Sequence, residues 1–343
     1  MATTELKVAT VGAGYFARFH HEAWSRMPGA RLVATCDVSR GKAEAYASEF
    51  GAGAAYDDAA EMIARERPDL LDIATPPATH RDLVALAADE KVATICQKAF
   101  TRSLAEARET VEIAERAGIM LVVHENFRFQ PWYRTIRTLV DAGAFGELYS
   151  IGFRLRPGDG QGPRAYLDRQ PYFQTMERFL IHETAIHFID TFRFLAGECA
   201  AVYADLRRLN PAVAGEDAGI MVLTHEGGVR SLFDGNRLSD HVAENRRLTM
   251  GELLVEGSEG SIRLDGHGRL FRRAFGSNDE TALDYGWENR GFAGDSVFAL
   301  QRHVVSHLRD GTPLENTGRA YLANLAVEDA VYRSAAEGRR LRP

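Results

Sequence analysis

The sequence predicts two halves of different fold class: a doubly wound α/β half with a parallel sheet, then an α+β half with a largely antiparallel sheet. Three observations carry this expectation. From the start to about His124, short apolar runs alternate with amphipathic stretches, the pattern of parallel strands joined by crossover helices. After His124 the texture turns to alternating runs parted by glycine-containing turns such as Glu226-Gly227-Gly228, the pattern of antiparallel strands. The chain has 343 residues, 45% of them apolar and 26% charged, which is ordinary globular composition and too long for one small module. We therefore expect two domains, 1–124 and 125–343.

In the first half the strand candidates are Lys7 to Val11, Arg31 to Cys36, Leu70 to Ala74, Val92 to Cys96 and Ile119 to Val123. Between them lie helix candidates: Phe16 to Met27, stopped by Pro28-Gly29; Gly41 to Phe50; Asp58 to Arg67, stopped before Pro68; His80 to Glu90; and Ser103 to Ala117. The last opens on a capping box, Ser103 with Glu106, and ends at Gly118. In the second half, a helix over Trp132 to Asp141 leads to a strand over Leu148 to Arg156 and then a loop from Pro157 to Tyr172. A long apolar helix, Met176 to Leu195, precedes strands at Ala201 to Leu209, Ala218 to His225, Val229 to Phe233, Leu248 to Val255 and Ser261 to Leu264. Helices over Asp295 to Arg309 and Gly318 to Ala336 close the chain.

A formal charge of −7 supplies no basic field for nucleic acid or an anionic membrane. No apolar run approaches the roughly 18 residues that span a bilayer, and the first strand candidate begins too early to leave room for a signal peptide. A cytoplasmic protein handling a neutral or weakly polar small substrate is the expectation. Cys36, Cys96 and Cys199 are an odd number, far apart and beside apolar residues, so we read them as buried thiols.

The first chemical signal is a buried strand running into G-x-G-x-x-A and then a helix: Gly12, Gly14, Tyr15, Phe16 and Ala17. Gly12 permits the tight turn, Gly14 lets the backbone approach a pyrophosphate, and the small Ala17 lets helix and strand pack closely. The second strand ends at Asp37, where a carboxylate accepts ribose hydroxyl protons and repels a 2′-phosphate, so NAD is favoured over NADP. Arg40, just beyond, is the residue that keeps NADP open. A second signal is Thr75-Pro76-Pro77-Ala78-Thr79-His80 after the strand from Leu70, where Thr75, Pro76 and His80 are placed to line the cofactor cleft; the plain alternative is a strand-to-helix turn. A third is Gln97-Lys98-Ala99: a lysine directly after a buried strand points at the same carboxyl edge.

The fourth signal is His182-Glu183-Thr184-Ala185-Ile186-His187 on the apolar helix. His182 and His187 are five apart, roughly 140° around an α-helix, so they do not share a metal from one face, and we expect no metal. Glu183 and His187, four apart, do share a face, with Asp190 a turn further on. A histidine oriented by a carboxylate serves as a general base near neutral pH; the plain alternative is a core histidine satisfied by Glu183. The loop from Pro157 to Tyr172 is long for a connection without structure of its own, which suggests a lid or binding loop. Arg164, Tyr166, Asp168 and Arg169 offer donors and acceptors for several hydroxyls, and Arg164 or Arg169 suits a carboxylate. The plain alternative is an ordered surface or subunit-contact loop.

Together these stretches resemble the glucose-fructose oxidoreductase and inositol dehydrogenase family (Gfo/Idh/MocA) over essentially the whole chain. The family's glycine fingerprint, T-P-P-x-x-H loop, E-K-P segment, N-x-R stretch and D-x-x-x-H pair correspond here to Gly12, Gly14 and Ala17; Thr75 to His80; Gln97-Lys98-Ala99; Asn126-Phe127-Arg128; and Glu183 to His187. The segments Ile95 to Lys98 and Val123 to Arg128 look most like its D-apiose dehydrogenase branch. Ala99 replaces the family's proline and Glu183 its aspartate. The resemblance implies a Rossmann domain followed by an open-faced sheet domain, and a dehydrogenase acting with NAD on a hydroxyl of a sugar, polyol or sugar acid. It implies that Lys98 and His187 are catalytic, that Glu183 holds His187, and that Gln97 and Asn126 contact the nicotinamide ribose region. It further implies substrate contacts from Lys98, Arg128, Glu183 and His187, to which the chemistry of the loop from Pro157 to Tyr172 adds Arg164 and Tyr166, and it implies a homodimer or homotetramer. Two rivals remain: a family enzyme that retains its nicotinamide and returns the hydride, and a non-catalytic ligand-sensing regulator.

Overall fold

Short runs rich in Val, Ile, Leu and Ala pair edge to edge in the first part of the chain because both of their faces are covered by helices. The computed structural model describes residues 5–343. Its first elements are β1 (Leu6–Val11), α1 (Ala17–Ser25), β2 (Ala30–Cys36), α2 (Arg40–Phe50), β3 (Ala54–Tyr56), α3 (Ala59–Glu66), β4 (Leu70–Ile73), α4 (His80–Asp89), β5 (Ala93–Gln97), α5 (Leu104–Ala117) and β6 (Leu121–His124). The strands form a parallel sheet in the order β3-β2-β1-β4-β5-β6, with Val8 level with Leu32 on one side and Leu70 on the other. The order reverses between β1 and β4, so the crossovers leave in opposite directions and open a crevice at the carboxyl edge. β3 is an addition to the expected elements: three residues, Ala-Ala-Tyr, are too few to show a period. α5 begins as expected with the Glu106 N–H donating to Ser103 Oγ at 3.2 Å, but the Glu106 carboxylate turns back to the Arg102 N–H rather than closing the box on Ser103.

The second unit adds α6 (Pro131–Asp141), β7 (Leu148–Leu155), α7 (Ile186–Ala196), β8 (Cys199–Arg207), β9 (Ala218–His225), β10 (Arg230–Asn236), β11 (Gly251–Gly257), β12 (Gly260–Leu264), β13 (Leu270–Ala274) and β14 (Thr281–Ala282). They build one sheet in the order β14-β13-β12-β11-β7-β10-β9-β8. It is antiparallel except for the parallel pair β7 and β10, so it is mixed rather than uniform. β13 and β14 were not expected, since Leu-Phe-Arg-Arg-Ala lacks clean alternation and β14 has two residues. Buried residues on alternate positions face α7, where Phe188 stacks on Phe153 at 3.9 Å and meets Phe233 at 5.4 Å. The other face carries Leu254, Gly152, Leu232, Val222 and Tyr203 in one row across five strands.

Two expectations change here. The apolar stretch from Met176 is not one helix: a 3₁₀ turn (Pro171–Thr175) and a π-helical turn (Leu180–Ala185) precede α7. The Glu216 carboxylate accepts the Phe179 and Ile181 N–H groups, and its carbonyl accepts that of Leu180, so these amides are taken before a regular α-helix can start. The division at 124 also shifts. One unit runs up to Asn126 and resumes over Asp295–Ala323; the other comprises Phe127–Gly294 and Asn324–Pro343. α8 (Ser296–Asp310) thus belongs with the first sheet, and α9 (Gly318–Glu337) passes from one unit to the other. An apolar helix face read from sequence does not say which core covers it. Cys36 and Cys96 are buried thiols, whereas Cys199 is half-buried, with Sγ 3.4 Å from the Ala201 carbonyl.

Polar side chains on the buried strands of the first sheet are paired. Thr10 and Thr35 place their hydroxyls 2.8 and 2.7 Å from His21 Nε2, and His21 Nδ1 lies 2.8 Å from the Ala17 carbonyl. A carbonyl only accepts, so Nδ1 carries the proton and Nε2 accepts. Burial pushes His21 down to about 4. In the unfolded chain an imidazole titrates near 6.5, so as pH falls from there to about 4 the unfolded state binds the extra proton and stability is lost. This one group should cost about 2–3 kcal/mol between pH 7 and 4.5. Urea unfolding at both pH values should show that part of the loss removed in His21→Gln; an unchanged pH dependence would refute the assignment.

Candidate active site

Every dinucleotide candidate of the first unit lies at the carboxyl edge of its sheet. The Gly12 N–H donates to the Cys36 carbonyl at 2.7 Å, and Gly12 has φ +110°, where a Cβ would stand 2.5 Å from the Ala74 carbonyl oxygen. Asp37 Oδ2 accepts the Ala13 N–H at 2.8 Å, and Oδ1 accepts that of Ser39 at 2.9 Å, so the carboxylate after β2 fastens the glycine loop after β1. A Cβ on Gly14 would meet nothing within 4 Å. That open space above the loop, with Ala17 buried beneath, fits the approach of a pyrophosphate. Tyr15 is exposed and edges onto Phe19, while Phe16 packs against Phe19 and His20. Arg40 is paired with Glu44 at 3.1 Å and Asp57 at 3.7 Å, which leaves its charge compensated.

The loops after β4, β5 and β6 complete this edge. Pro76 is exposed and Thr75 half-buried, with its Oγ1 accepting from Thr79. His80 differs from expectation: it is fully buried, with Nδ1 2.6 Å from the Phe100 carbonyl and Nε2 2.7 Å from that of Thr75. It therefore braces the Thr75 loop against the turn that follows Lys98 instead of lining a cleft. Lys98, half-buried, is the first residue beyond β5; its peptide bond to Ala99 is cis. Its backbone N–H donates to Gln97 Oε1 at 2.8 Å. Gln97 and Asn126 are buried, Asn126 Nδ2 donating to Ser296 Oγ at 2.7 Å.

In the second unit His187, in the first turn of α7, stacks flat on Phe127, with centroids 3.8 Å apart and planes 4° from parallel. Glu183 lies in the π-helical turn, half-buried, so the α-helical spacing used to relate positions 182, 183 and 187 does not apply. His182 Nδ1 sits 2.7 Å from Glu328 Oε1. Arg128 makes a two-point ion pair with Asp190, Nε to Oδ2 at 2.7 Å and Nη2 to Oδ1 at 2.6 Å, and Asn324 donates to the same carboxylate. Its guanidinium thus holds the 3₁₀ turn Phe127–Phe129 against α7. Among the described residues no group of three or more His, Cys, Asp or Glu is arranged to hold a metal ion.

The loop from Pro157 to Tyr172 is anchored rather than free. Asp159 accepts Arg237 Nε at 3.2 Å and Nη2 at 2.8 Å, Asn210 donates to the Gly160 and Gly162 carbonyls, and Gln174 to those of Pro163 and Ala165. Tyr166, expected to face substrate, is buried against Phe173 and Phe179, and its hydroxyl accepts from Arg237. Arg164 is exposed and paired with Asp168, and Arg169 is paired with Asp159. Tyr172, at the end of this loop, is pushed up to about 12, first by burial of its ring and then by the Glu183 carboxylate. Arg237, Asp159 and Glu216 were missed by sequence reasoning. A lone arginine in the turn just after a strand gives no local sign of burial.

The two glycines separate backbone strain from ligand space. Gly12→Ala should destabilise the fold by about 1–3 kcal/mol, from positive φ and the clash with Ala74. Gly14→Ala should leave stability within about 0.5 kcal/mol yet weaken NAD binding. Denaturation and NAD titration check both; unchanged NAD affinity in Gly14→Ala would sink the placement of the pyrophosphate.

Comparison with known proteins agrees with this geometry. Residues 6–125 match a family model described as oxidoreductase family, NAD-binding Rossmann fold, and residues 133–263 match the GFO/IDH/MocA C-terminal domain. A D-apiose dehydrogenase of Paraburkholderia graminis is 39% identical over 97% of this chain and 88% of the relative. One of Rhizobium rhizogenes is 35% identical over 99% and 98%. The crystal structure of an oxidoreductase from Agrobacterium radiobacter in complex with NAD+, L-tartaric acid and magnesium is 34% identical, covers 99% of this chain and 98% of its own, and superposes with a TM-score of 0.89. The chain belongs to the Gfo/Idh/MocA family of oxidoreductases.

Proposed function

We propose that this protein is an NAD-dependent dehydrogenase acting on a CH–OH group of a neutral sugar or polyol. The observation that carries the reading is Lys98, placed directly beyond β5 on the same sheet edge as the loop from Gly12 to Ala17 and as Asp37. Gly12, Gly14 and Ala17 would hold the pyrophosphate and Asp37 the adenosine ribose, and bound NAD supplies the hydride acceptor. His187 takes the hydroxyl proton, its ring plane fixed by the Phe127 stack. The Lys98 ammonium stabilises the alkoxide that develops as the proton leaves. Glu183 orients His187 and stabilises its protonated form. The Arg128 ion pair supports this turn from behind.

A neutral substrate is favoured over a sugar acid because Arg164 and Arg169 are both in ion pairs, which balances the charge of the loop from Pro157 to Tyr172. The naming of two relatives as D-apiose dehydrogenases supports an aldose. We include in the proposal a cytoplasmic location and a homo-oligomer built on the apolar row from Leu254 to Tyr203 of the second sheet. No helix among the described residues is long and apolar enough to cross a membrane.

The decisive assay is nicotinamide reduction with a panel of pentoses, inositols and matched aldonates, with NAD and NADP. Neutral substrates with NAD should lead, and a preference for aldonates would overturn the substrate class. Lys98→Ala and His187→Ala should each lower turnover at least about a hundredfold with NAD affinity kept. Asp37→Ala should narrow the preference for NAD over NADP. Near-normal turnover in either of the first two variants removes that residue from the mechanism.

A further inference from the structure

Asp72 is a charged residue in the middle of a strand whose faces are both buried, and it is fully buried itself. Three donors converge on its Oδ2: His20 Nδ1 at 2.9 Å, Trp24 Nε1 at 2.6 Å and Gln301 Nε2 at 3.2 Å. Convergence of three donors on one oxygen marks an ionised carboxylate held as an acceptor. The His20 ring lies between Phe16, at 5.7 Å, and His124, at 4.0 Å, and its second nitrogen, Nε2, is 3.4 Å from Gln97 Nε2. Gln97 Oε1 accepts the Lys98 backbone N–H.

These contacts have one consistent direction. A backbone N–H only donates, so the Gln97 oxygen faces Lys98 and its NH₂ faces His20. His20 Nε2 must then accept, which leaves its proton on Nδ1, where Asp72 receives it. Each donor–acceptor choice fixes the next, and hydrogen bonds chained in this way polarise one another. The chain crosses from β4 through α1 to the end of β5, and it stops at the one residue of that strand end with a candidate catalytic side chain.

We propose that His20 and Asp72 are positioning residues for Lys98, acting through the Gln97 side chain on the Lys98 backbone amide. The proposal rests on the reading of Lys98 as the alkoxide-stabilising group. Locking that amide sets where the Lys98 side chain leaves the backbone, and a displacement of about 1 Å at a catalytic group can cost on the order of a hundredfold in rate. Ring shape alone would suffice if His20 merely filled space between Phe16 and His124, so the test separates polarity from shape.

His20→Phe keeps the ring and severs the chain; His20→Gln restores one donor and one acceptor without the ring. We expect His20→Phe to lower kcat by about tenfold or more, with KM and the NAD dissociation constant within about twofold of wild type, and His20→Gln to recover most of the loss. Unchanged kcat in folded His20→Phe, or an equal loss in both variants, overturns the proposal. If His20→Phe does not fold, His20→Met severs the chain with a flexible side chain that fits the same space, and the same split decides: a kcat loss at constant KM and NAD affinity supports the proposal, and wild-type kcat overturns it. Lys98→Ala, measured alongside, keeps the two readings apart. If it retains turnover, the role of Lys98 fails; if it loses turnover while His20→Phe does not, only the positioning chain fails.

Discussion

The first unit depends on the parallel pairing of β1 between β2 and β4. Parallel strands need crossovers that return over a face of the sheet, and these leave β1 and β4 in opposite directions, which opens a crevice at the carboxyl ends between them. Everything of chemical interest in this unit follows from that edge. Gly12 turns there, Asp37 reaches across from β2 to the Ala13 amide, and Lys98 leaves β5 beside them. A strand order without the reversal would give each of these residues the same local conformation with no shared opening.

Burying polar groups among apolar strands costs free energy unless they are paired, and several of the buried polar groups in both units are paired in ways that also hold the candidate site. Thr10, Thr35 and His21 satisfy one another within the sheet. His80 uses both ring nitrogens on backbone carbonyls, tying the loop after β4 to the turn after β5. In the second unit Arg237, fully buried, meets Asp159, the Tyr166 hydroxyl and Thr184 Oγ1, with the faces of Phe173 and Phe179 around it. Thr184 adjoins Glu183, and Glu216 caps the same π-helical turn from its other end. Removing one partner from such clusters leaves a buried charge uncompensated, which makes them rigid supports rather than adjustable contacts.

The legible part of the site was the part written in backbone geometry. Gly12, Gly14 and Ala17 follow from what a strand-turn-helix must do near a pyrophosphate, and the position of Lys98 follows from the end of an apolar run. Side-chain partners over long separations were not legible. Tyr166 read as a substrate residue because its hydroxyl is a donor and acceptor in a long loop before the His187 helix, yet Arg237, 71 residues away, draws its hydroxyl inward. Asp72 drew no reading from the sequence, and its partners lie 48 to 229 residues distant, where no periodicity encodes them.

By itself the sequence determined the class of each half, the order of most strands and helices, and the residue types set on the nucleotide-binding edge, because these rest on local sterics and on the period of apolar positions. Only the tertiary structure decided that Asp295–Ala323 rejoins the first unit, that β10 lies parallel to β7, and that the stretch before His187 winds as a π-helical turn. The reason is the same in each case. Which surface covers an apolar face, and which distant carboxylate captures a free amide, are set by competition among all segments of the folded chain.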